Sequence, residues 1–379
     1  MEKKEILIIM GRYLPGYKDG GPVRSIKNLT DRLGNEYCFR ILTTDRDHGD
    51  KEPYEGILYG QWNQVGKAQV RYVQPGKITK KVILECAQEV SVIYVCGCFN
   101  DYARKVLTLK KSGKLTQPVT VAAMGLFAPG AFSIHHTRKK MYMNVLIRNK
   151  LLDEISWSAS NEKEVEQIQS IVGEEAKCFI AEDLPRVLPL GKTKERKKES
   201  GECRIAIVAR ISPEKNITYA IEVLQNLKGN VVLDIYGSLG NRKYVEECKK
   251  RIKLLPQSVT CNLVGPCDSE KVIDVLLDYD VFLLPTLGEN YGHAIYEAMA
   301  AGCVPVISDR TRWTNAIETN NAGAAISLEQ PEEFTKVLQK YVTMDYQRFA
   351  LLAARCVQYA LKMPVDTALD QYRRIFEQA

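Results

Sequence analysis

Residues 203–210 read CRIAIVAR, and residues 217–227 read ITYAIEVLQNL. The first stretch is a short apolar run rich in Ile and Val, which is typical of a buried strand, whereas the apolar residues of the second recur at helical spacing. The same order returns along the second half, with further strand-like runs at 231–237, 259–265, 279–286 and 304–309. Strands alternating with helices predict an α/β domain whose parallel sheet is covered on both faces.

The first half shows the same alternation. Its strand-like runs lie at 5–10, 39–44, 90–97 and 118–125, and helical periodicity marks 22–33 and 101–111. A chain of 379 residues is long enough for two domains of ordinary size. The sequence therefore predicts two Rossmann-like, doubly wound domains.

The boundary between the domains is predicted from composition. Residues 191–201 read GKTKERKKESG, which is highly charged and nearly free of apolar side chains, so we expect an unburied interdomain linker. The predicted organisation is an N-terminal acceptor-binding domain at 1–190, a linker at 191–202 and a C-terminal nucleotide-sugar domain at 203–363. A last helix at 364–379 could cross back to the first domain.

Overall composition favours a globular protein of a reducing compartment. Hydrophobic residues make up 45% of the chain and charged residues 26%. The eleven cysteines are scattered without a Cys-x-x-Cys pair, so we expect free thiols. The apolar run near the N-terminus is too short for a signal peptide, and no stretch is long enough to cross a membrane. A cytoplasmic location follows, with any membrane contact peripheral.

Positive charge is concentrated in the first half. Residues 102–152 contain ten Lys and Arg and no Asp or Glu. Within them, residues 132–150 form a helix-like stretch that mixes cations with apolar side chains, which suits the surface of an anionic membrane. A packed helix with a solvated basic face explains the pattern equally well, and nucleic-acid binding is disfavoured because no recognition module is present. The cations assigned to an acceptor or membrane are Arg24, Arg138, Lys139 and Lys140.

The segment 282–302, FLLPTLGENYGHAIYEAMAAG, is the most informative for function. A buried strand runs into a glycine-containing loop, and a helix begins near Tyr291–His293. The start of a helix presents unpaired N–H groups and a positive dipole end, which suits a phosphate. Glu289 precedes this helix and Glu297 lies on it, so two carboxylates flank the predicted phosphate site.

This segment resembles the two-glutamate signature of retaining GT-B glycosyltransferases of family 4, which include enzymes of bacterial surface-polysaccharide synthesis. The resemblance implies a GT-B fold with two domains facing across a cleft. It also implies that Glu289 contacts the transferred sugar, that the helix amides meet the distal phosphate, and that Glu297 binds the ribose. The donor-binding residues implied in this segment are Glu289, Asn290, Tyr291, Gly292, His293, Ala294 and Glu297.

Arg210 and Lys215 strengthen the resemblance. They follow the strand 203–210, and ligands of open α/β sheets bind at the carboxyl ends of strands. An arginine fork with a lysine point charge suits a diphosphate. The pair is similar to the family's Gly-Arg-(x)4-Lys clamp, with Ala209 in place of the glycine.

Weaker signals complete the predicted donor site. Gly20 and Gly21, after the first strand, allow close approach of a ligand and are similar to the family's glycine-rich loop, although a plain turn also explains them. Tyr236 and Gly265 stand in loops after strands and resemble segments that line the base pocket; ordinary turns explain them equally well.

Two metal-like patterns are present. Asp45-Arg-Asp47 has the Asp-x-Asp form that holds a metal diphosphate in single-domain glycosyltransferases, and His293 and Glu297 are spaced like ligands on one helix face. The first lies far along the chain from Arg210 and Lys215, and the second lacks a third ligand. We therefore expect neither a metal nor a cofactor.

The predicted activity is transfer of a sugar from a nucleoside diphosphate (NDP) sugar, with UDP favoured, to a hydroxyl of a glycan or polyprenyl-linked acceptor. Retention of configuration is implied by the resemblance. Arg210 and Lys215 would stabilise charge on the leaving diphosphate, and Glu289 would orient the sugar. Two alternatives remain: a nucleotide-sugar epimerase of GT-B-like fold, and a non-catalytic nucleotide-sugar-binding partner.

Overall fold

The computed structural model describes residues 3–18, 20–128, 132, 136–188 and 198–378. The chain divides into two compact units. Unit 1 comprises Met1–Val187 and Pro364–Ala379, and unit 2 comprises Leu188–Met363.

Among its described residues, unit 1 contains an eight-stranded sheet in the order β3-β4-β2-β1-β5-β6-β7-β8. The strands are β1 Glu5–Ile9, β2 Cys38–Thr44, β3 Trp62–Val65, β4 Ala68–Val73, β5 Val92–Cys96, β6 Val119–Ala122, β7 Ser156–Ala159 and β8 Cys178–Ile180. Neighbouring strands are parallel except β3, which pairs antiparallel with β4 at the sheet edge.

Both faces of this sheet are buried. Leu7 and Ile9 of β1 enter one hydrophobic core, and the alternating Ile6 and Ile8 enter another. This follows from the two-residue period of a strand, and it explains why β1 reads as an unbroken apolar run. The helices that accompany the sheet are α1 Gly21–Leu33, α2 Lys80–Cys86, α3 Asp101–Lys111, α4 His136–Arg148 and α5 Glu162–Val172.

The described part of unit 2 contains a six-stranded, fully parallel sheet in the order β11-β10-β9-β12-β13-β14. The strands are β9 Glu202–Val208, β10 Asn230–Tyr236, β11 Val259–Gly265, β12 Val281–Leu284, β13 Val304–Ser308 and β14 Ala324–Ile326. Because β9 and β12 are neighbours and parallel, the loops that follow them emerge at the same edge of the sheet.

The helices of unit 2 are α6 Ile217–Glu222, α7 Arg242–Ile252, α8 Val272–Leu276, α9 His293–Ala300, α10 Thr314–Thr319, α11 Pro331–Thr343 and α12 Tyr346–Lys362. Short 3-10 turns lie at Pro213–Lys215 and Ser269–Lys271. The first of these carries Lys215 directly after β9 and so places it at the edge where β12 also ends.

After Met363 the chain returns to unit 1 with α13, Asp366–Phe376. Phe376 packs edge to face on Tyr37 and Phe39, with ring centroids 5.3 and 5.8 Å away. Near the same end of the helix, the Arg373 guanidinium pairs with Glu36, with two N···O distances of 2.8 Å. Aromatic packing and an ion pair thus fix α13 within unit 1.

The prediction of two α/β domains built on parallel sheets is confirmed, with the antiparallel β3 as an edge addition. The expectation that the whole segment 191–201 stays unburied is wrong at Lys198, which is 5% exposed. Its ammonium donates to backbone carbonyls that include Val342 and Met344, so it caps the end of α11. Residues 191–197 of that segment and 133–135 of the basic stretch lie outside the described residues. Within the described chain, no helix combines the length and apolarity needed to cross a bilayer.

Candidate functional site

The candidate site in unit 2 is built where β9 and β12 end. The loop after β12 is tied to the turn after β9 through the carbonyl of Glu214, which accepts from the backbone N of Leu287 at 2.9 Å and lies 3.0 Å from Thr286 Oγ1. Thr286 is fully buried, and its own carbonyl accepts from Ser308 Oγ on β13 at 2.6 Å. Three consecutive strands of the sheet therefore fix the beginning of this loop.

The predicted residues Lys215 and Glu289 are in direct contact. Lys215 Nζ lies 2.6 Å from Glu289 Oε1, and the two side chains are only 16% and 11% exposed. This ion pair joins the turn after β9 to the loop after β12. The partial burial strengthens the attraction relative to a surface pair.

Arg210 also follows β9, but its side chain is more exposed to solvent than that of Lys215. Its side chain is 57% exposed and pairs with Glu214 at 3.1 Å. Burial raises the pKa of Glu214, but hydrogen bonds from its own backbone amide and Ser212, with the charges of Arg210 and Lys215, outweigh this and hold the pKa below its usual value. Glu214 is therefore an anion that pairs with Arg210 and is the chain neighbour of Lys215.

Helix α9 begins directly after this loop. Gly292 caps it with φ +78°, in the left-handed region that glycine adopts at low cost. The first N–H groups of an α-helix point away from its start without an acceptor in the helix itself, and α9 starts four residues after Glu289. His293 is 8% exposed, and its ring lies 4.5 Å from that of Tyr291.

Three other predicted donor residues of unit 2 lie in different settings. Glu297 is 2% exposed on α9. Tyr236 shares a 2.7 Å hydrogen bond with the hydroxyl of Tyr279, which lies 2.6 Å from an Asp234 oxygen. Burial, with the adjacent Asp234 carboxylate, raises the pKa of Tyr279. Gly265 has φ +102°, and its carbonyl accepts from Gly237 N, which links the loops after β10 and β11.

Gly20 and Gly21 lie in unit 1, where Gly20 caps α1 with φ +66°. A Cβ built on either glycine would meet no atom within 4 Å, so the space next to both positions is open. Arg24 lies on α1, and its backbone N donates to the Gly20 carbonyl at 3.2 Å.

The Asp-x-Asp pattern supports this glycine-rich loop. Asp47 is 5% exposed, and its Oδ2 accepts from the backbone N of Tyr17 and Lys18 at 2.8 and 3.1 Å. Asp45 pairs with Arg46 at 2.8 Å. Both carboxylates therefore have structural contacts within unit 1.

The predicted basic helix is α4, and its cations differ in setting. Arg138 and Lys140 are exposed, as are Met141 and Val145 at 63% and 54%. Lys139 instead lies 5.3 Å from the ring centroid of Phe99, and burial lowers its pKa. Two of the three predicted cations thus face solvent, and the third lies against unit 1.

Sequence patterns did not reveal the residues that support the loop after β12: Glu214, Thr286, Ser308 and Trp313. The Trp313 indole, 1% exposed, donates from Nε1 to the Tyr291 carbonyl at 2.5 Å. A buried tryptophan after a strand was the available signal, but such a residue usually fills a core.

Residues 192–363 match the family Glycosyl transferases group 1, so the match lies in unit 2 and includes the loops after β9 and β12. The UDP-N-acetylglucosamine--peptide N-acetylglucosaminyltransferase GtfA subunit of Streptococcus agalactiae is 25% identical over 177 residues, which are 44% of this chain and 33% of that protein. The chain thus spans about a third of the length of this relative.

Solved structures resemble the chain over its whole length. HepE of Anabaena, in complex with UDP and glucose, has 16% identity and a TM-score of 0.71, with 99% of this chain and 100% of that chain covered. Sucrose-phosphate synthase from Thermosynechococcus elongatus has 13% identity, a TM-score of 0.67 and 99% coverage of both chains. WaaG, a glycosyltransferase involved in lipopolysaccharide biosynthesis, has 14% identity and a TM-score of 0.65, covering 99% and 100%. These likenesses show a GT-B fold.

Proposed function

We propose that this chain is a retaining glycosyltransferase that moves a sugar from an NDP-sugar to a hydroxyl of a glycan or polyprenyl-linked acceptor in bacterial polysaccharide synthesis. The observation that carries the proposal is the 2.6 Å contact between Lys215 and Glu289 beside the start of α9. It brings together a cation for phosphate, a carboxylate for sugar hydroxyls and the positive end of a helix.

The donor is assigned to unit 2. Lys215 and Arg210 offer positive charge to the diphosphate, and the first amides of α9 offer N–H donors to its distal phosphate. Glu297, on the same helix, takes the ribose by resemblance to family 4. UDP is the favoured nucleotide, which the likeness to HepE, solved in complex with UDP-glucose, supports.

In the proposed reaction the bond between the anomeric carbon and the diphosphate oxygen breaks, and a bond from the acceptor oxygen to that carbon forms. The proton of the acceptor hydroxyl passes to an oxygen of the departing diphosphate. Negative charge grows on the departing diphosphate. Lys215, Arg210 and the α9 amides stabilise this charge, and they are already in position before the reaction begins. Glu289 orients the sugar through its hydroxyls. With two cations and a helix start for the phosphates, no metal is required for charge neutralisation.

The acceptor side is assigned to unit 1, and α4 is proposed to meet an anionic membrane. Its exposed Met141 and Val145 are one helical turn apart, Arg138 lies one turn before Met141 on the same face, and Lys140 is exposed on the adjoining face. An apolar strip flanked by cations suits the boundary between headgroups and acyl chains. The protein would then work as a peripheral enzyme at the inner face of the plasma membrane, close to a lipid-linked acceptor.

The deciding experiment has two stages. Thermal shift with UDP, GDP, ADP and dTDP identifies the nucleotide, because a ligand bound only by the folded form raises the melting temperature. The matching NDP-sugars are then incubated with and without lipid-linked acceptors, and the products are followed by NMR. A new α-linked glycoside from an α-linked donor supports the proposal. An epimerised donor without acceptor, or binding without turnover under all conditions, would refute it.

A further inference from the structure

We infer that Trp313 is a positioning residue of the donor site: its indole holds the Tyr291–Gly292 turn so that the start of α9 keeps its orientation toward the distal phosphate. This inference rests on the proposed function of that site. Trp313 precedes α10 and is not one of the residues that the family resemblance marks.

The contact that carries the inference is made by a buried donor. Trp313 is 1% exposed, and its Nε1–H donates to the Tyr291 carbonyl at 2.5 Å. The indole also packs edge to face on the Tyr291 ring at 5.3 Å and contacts the Tyr296 ring of α9 at 6.1 Å. Trp313 therefore touches both the residue before the helix cap and the fourth residue of the helix.

Gly292 lies directly beneath this indole. A Cβ at residue 292 would lie 3.2 Å from Trp313 Nε1 and 2.9 Å from Ile295 Cδ1. The turn combines φ +78° with this close approach, so only glycine fits without displacement of the indole or Ile295. The orientation of the next two amides depends on this turn.

Trp313 is itself held firmly. Its backbone N donates to Thr311 Oγ1 at 3.1 Å, and the Arg312 guanidinium lies 5.8 Å from the centroid of its ring. The other end of the loop is fixed separately, by Ser308 through the Thr286 carbonyl. The segment that includes β13 and the turn after it thus supports the donor loop at both ends, and Trp313 supports the end that carries the helix amides.

A purely structural role for Trp313 predicts a different result from a positioning role. Loss of core packing would lower stability and weaken every ligand of unit 2 together. Loss of positioning would weaken the part of the ligand that meets the α9 amides, which is the distal phosphate. A nucleoside diphosphate and its monophosphate separate these two cases.

The test compares W313F, which keeps an aromatic ring but removes the N–H donor, with W157F. Trp157 on β7 of unit 1 is also 1% exposed, so W157F is a matched loss of a buried indole away from unit 2. Isothermal titration measures affinity for whichever of UDP, GDP, ADP and dTDP binds the wild type tightest, and for its monophosphate. We expect W313F to weaken the diphosphate about tenfold and the monophosphate less than about twofold, with W157F changing neither.

The inference is overturned if W313F binds the diphosphate as the wild type does, or if the two nucleotides weaken equally. Should W313F fail to fold, W313L, which also lacks the N–H donor, serves instead, with the same selective loss expected. Wild-type protein that binds none of the four diphosphates would refute the proposed function and this inference with it. Binding by the wild type with no selective loss in the variants would refute the inference alone.

Discussion

The ammonium of Lys215 lies 2.6 Å from Oε1 of Glu289, although 74 residues separate them in the chain. The cation proposed to hold the diphosphate is thus paired with the carboxylate proposed to orient the sugar. A bound diphosphate must either share Lys215 with Glu289 or replace Glu289 as the partner of Lys215. Removal of either partner should therefore affect binding and transfer in different ways.

Glu289→Gln should lower kcat by about 100-fold, because the sugar loses a charged acceptor that orients it. Affinity for the free diphosphate should stay equal or rise, since Lys215 no longer shares its charge with a carboxylate. Transfer assays and titration calorimetry measure the two effects, with Glu246→Gln on α7 as the exposed control. A parallel fall in diphosphate affinity would place Glu289 on the phosphates instead of the sugar.

Lys215→Ala should weaken diphosphate binding by about 30-fold or more, because it removes a cation and leaves Glu289 partly buried, negative and unpaired. Lys215→Ala combined with Glu289→Gln should regain part of that loss, since the repulsion is removed. Calorimetry on the four proteins gives the coupling between the two sites. Lys243→Ala, at an exposed position of α7, should change nothing. Additive losses in the double variant would argue against the shared site.

Much of the fold could be predicted from the sequence because the central strands of a parallel sheet, buried on both faces, are nearly continuous apolar runs. The runs around Leu7 and Ile205 are examples, and both lie at the centre of their sheets. Arg210, Lys215 and Glu289 could also be chosen as candidate site residues from the sequence, since each follows a predicted strand, where ligands of such sheets bind.

Contacts between distant parts of the chain were not predictable in this way. The bond from Trp313 to Tyr291 and the tie between Glu214 and Thr286 join loops whose register only the folded sheet defines. Burial of Lys198 depends on carbonyls at the end of α11, more than 140 residues away along the chain. The composition of a segment predicts its average exposure to solvent. It does not predict whether one side chain within the segment is buried.

Removal of divalent metal should leave transfer unchanged, because Lys215, Arg210 and the α9 amides supply the positive charge that the leaving group needs. The measurement is the initial rate after dialysis against EDTA, with and without added Mg²⁺ or Mn²⁺. Asp47→Asn gives a second readout: it should alter rates with and without metal equally, because Asp47 holds the backbone of Tyr17 and Lys18. Activity lost in EDTA and restored by Mg²⁺ would contradict this.

Charge reversal on α4, Arg138→Glu with Lys140→Glu, should weaken binding to anionic vesicles by at least about tenfold, since each surface cation contributes about 1 kcal/mol there. Sedimentation with phosphatidylglycerol vesicles at low salt measures it. Lys139→Gln should have little effect, because that ammonium lies over the Phe99 ring. Lys243→Glu with Lys250→Glu on α7 is a matched reversal in unit 2. Equal losses from both double variants would indicate net charge alone and not α4.

Glu36→Gln should destabilise unit 1 at neutral pH and not in acid. The hydrogen bond from Arg373, opposed by burial, lowers the pKa of Glu36. A lowered folded-state pKa stabilises the protein above the unfolded value near 4.3, and this stabilisation is lost as the pH falls through the folded value. Both side chains are about a third or more exposed, at 32% and 43%, so the cost at pH 7 should be about 1 kcal/mol or less. Denaturant unfolding curves of the wild type and Glu36→Gln, recorded at pH 7 and near pH 3, measure the difference in the free energy of unfolding. Glu55→Gln, at an exposed position, is the control. A difference that persists unchanged in acid would mean that packing, and not charge, links Glu36 to α13.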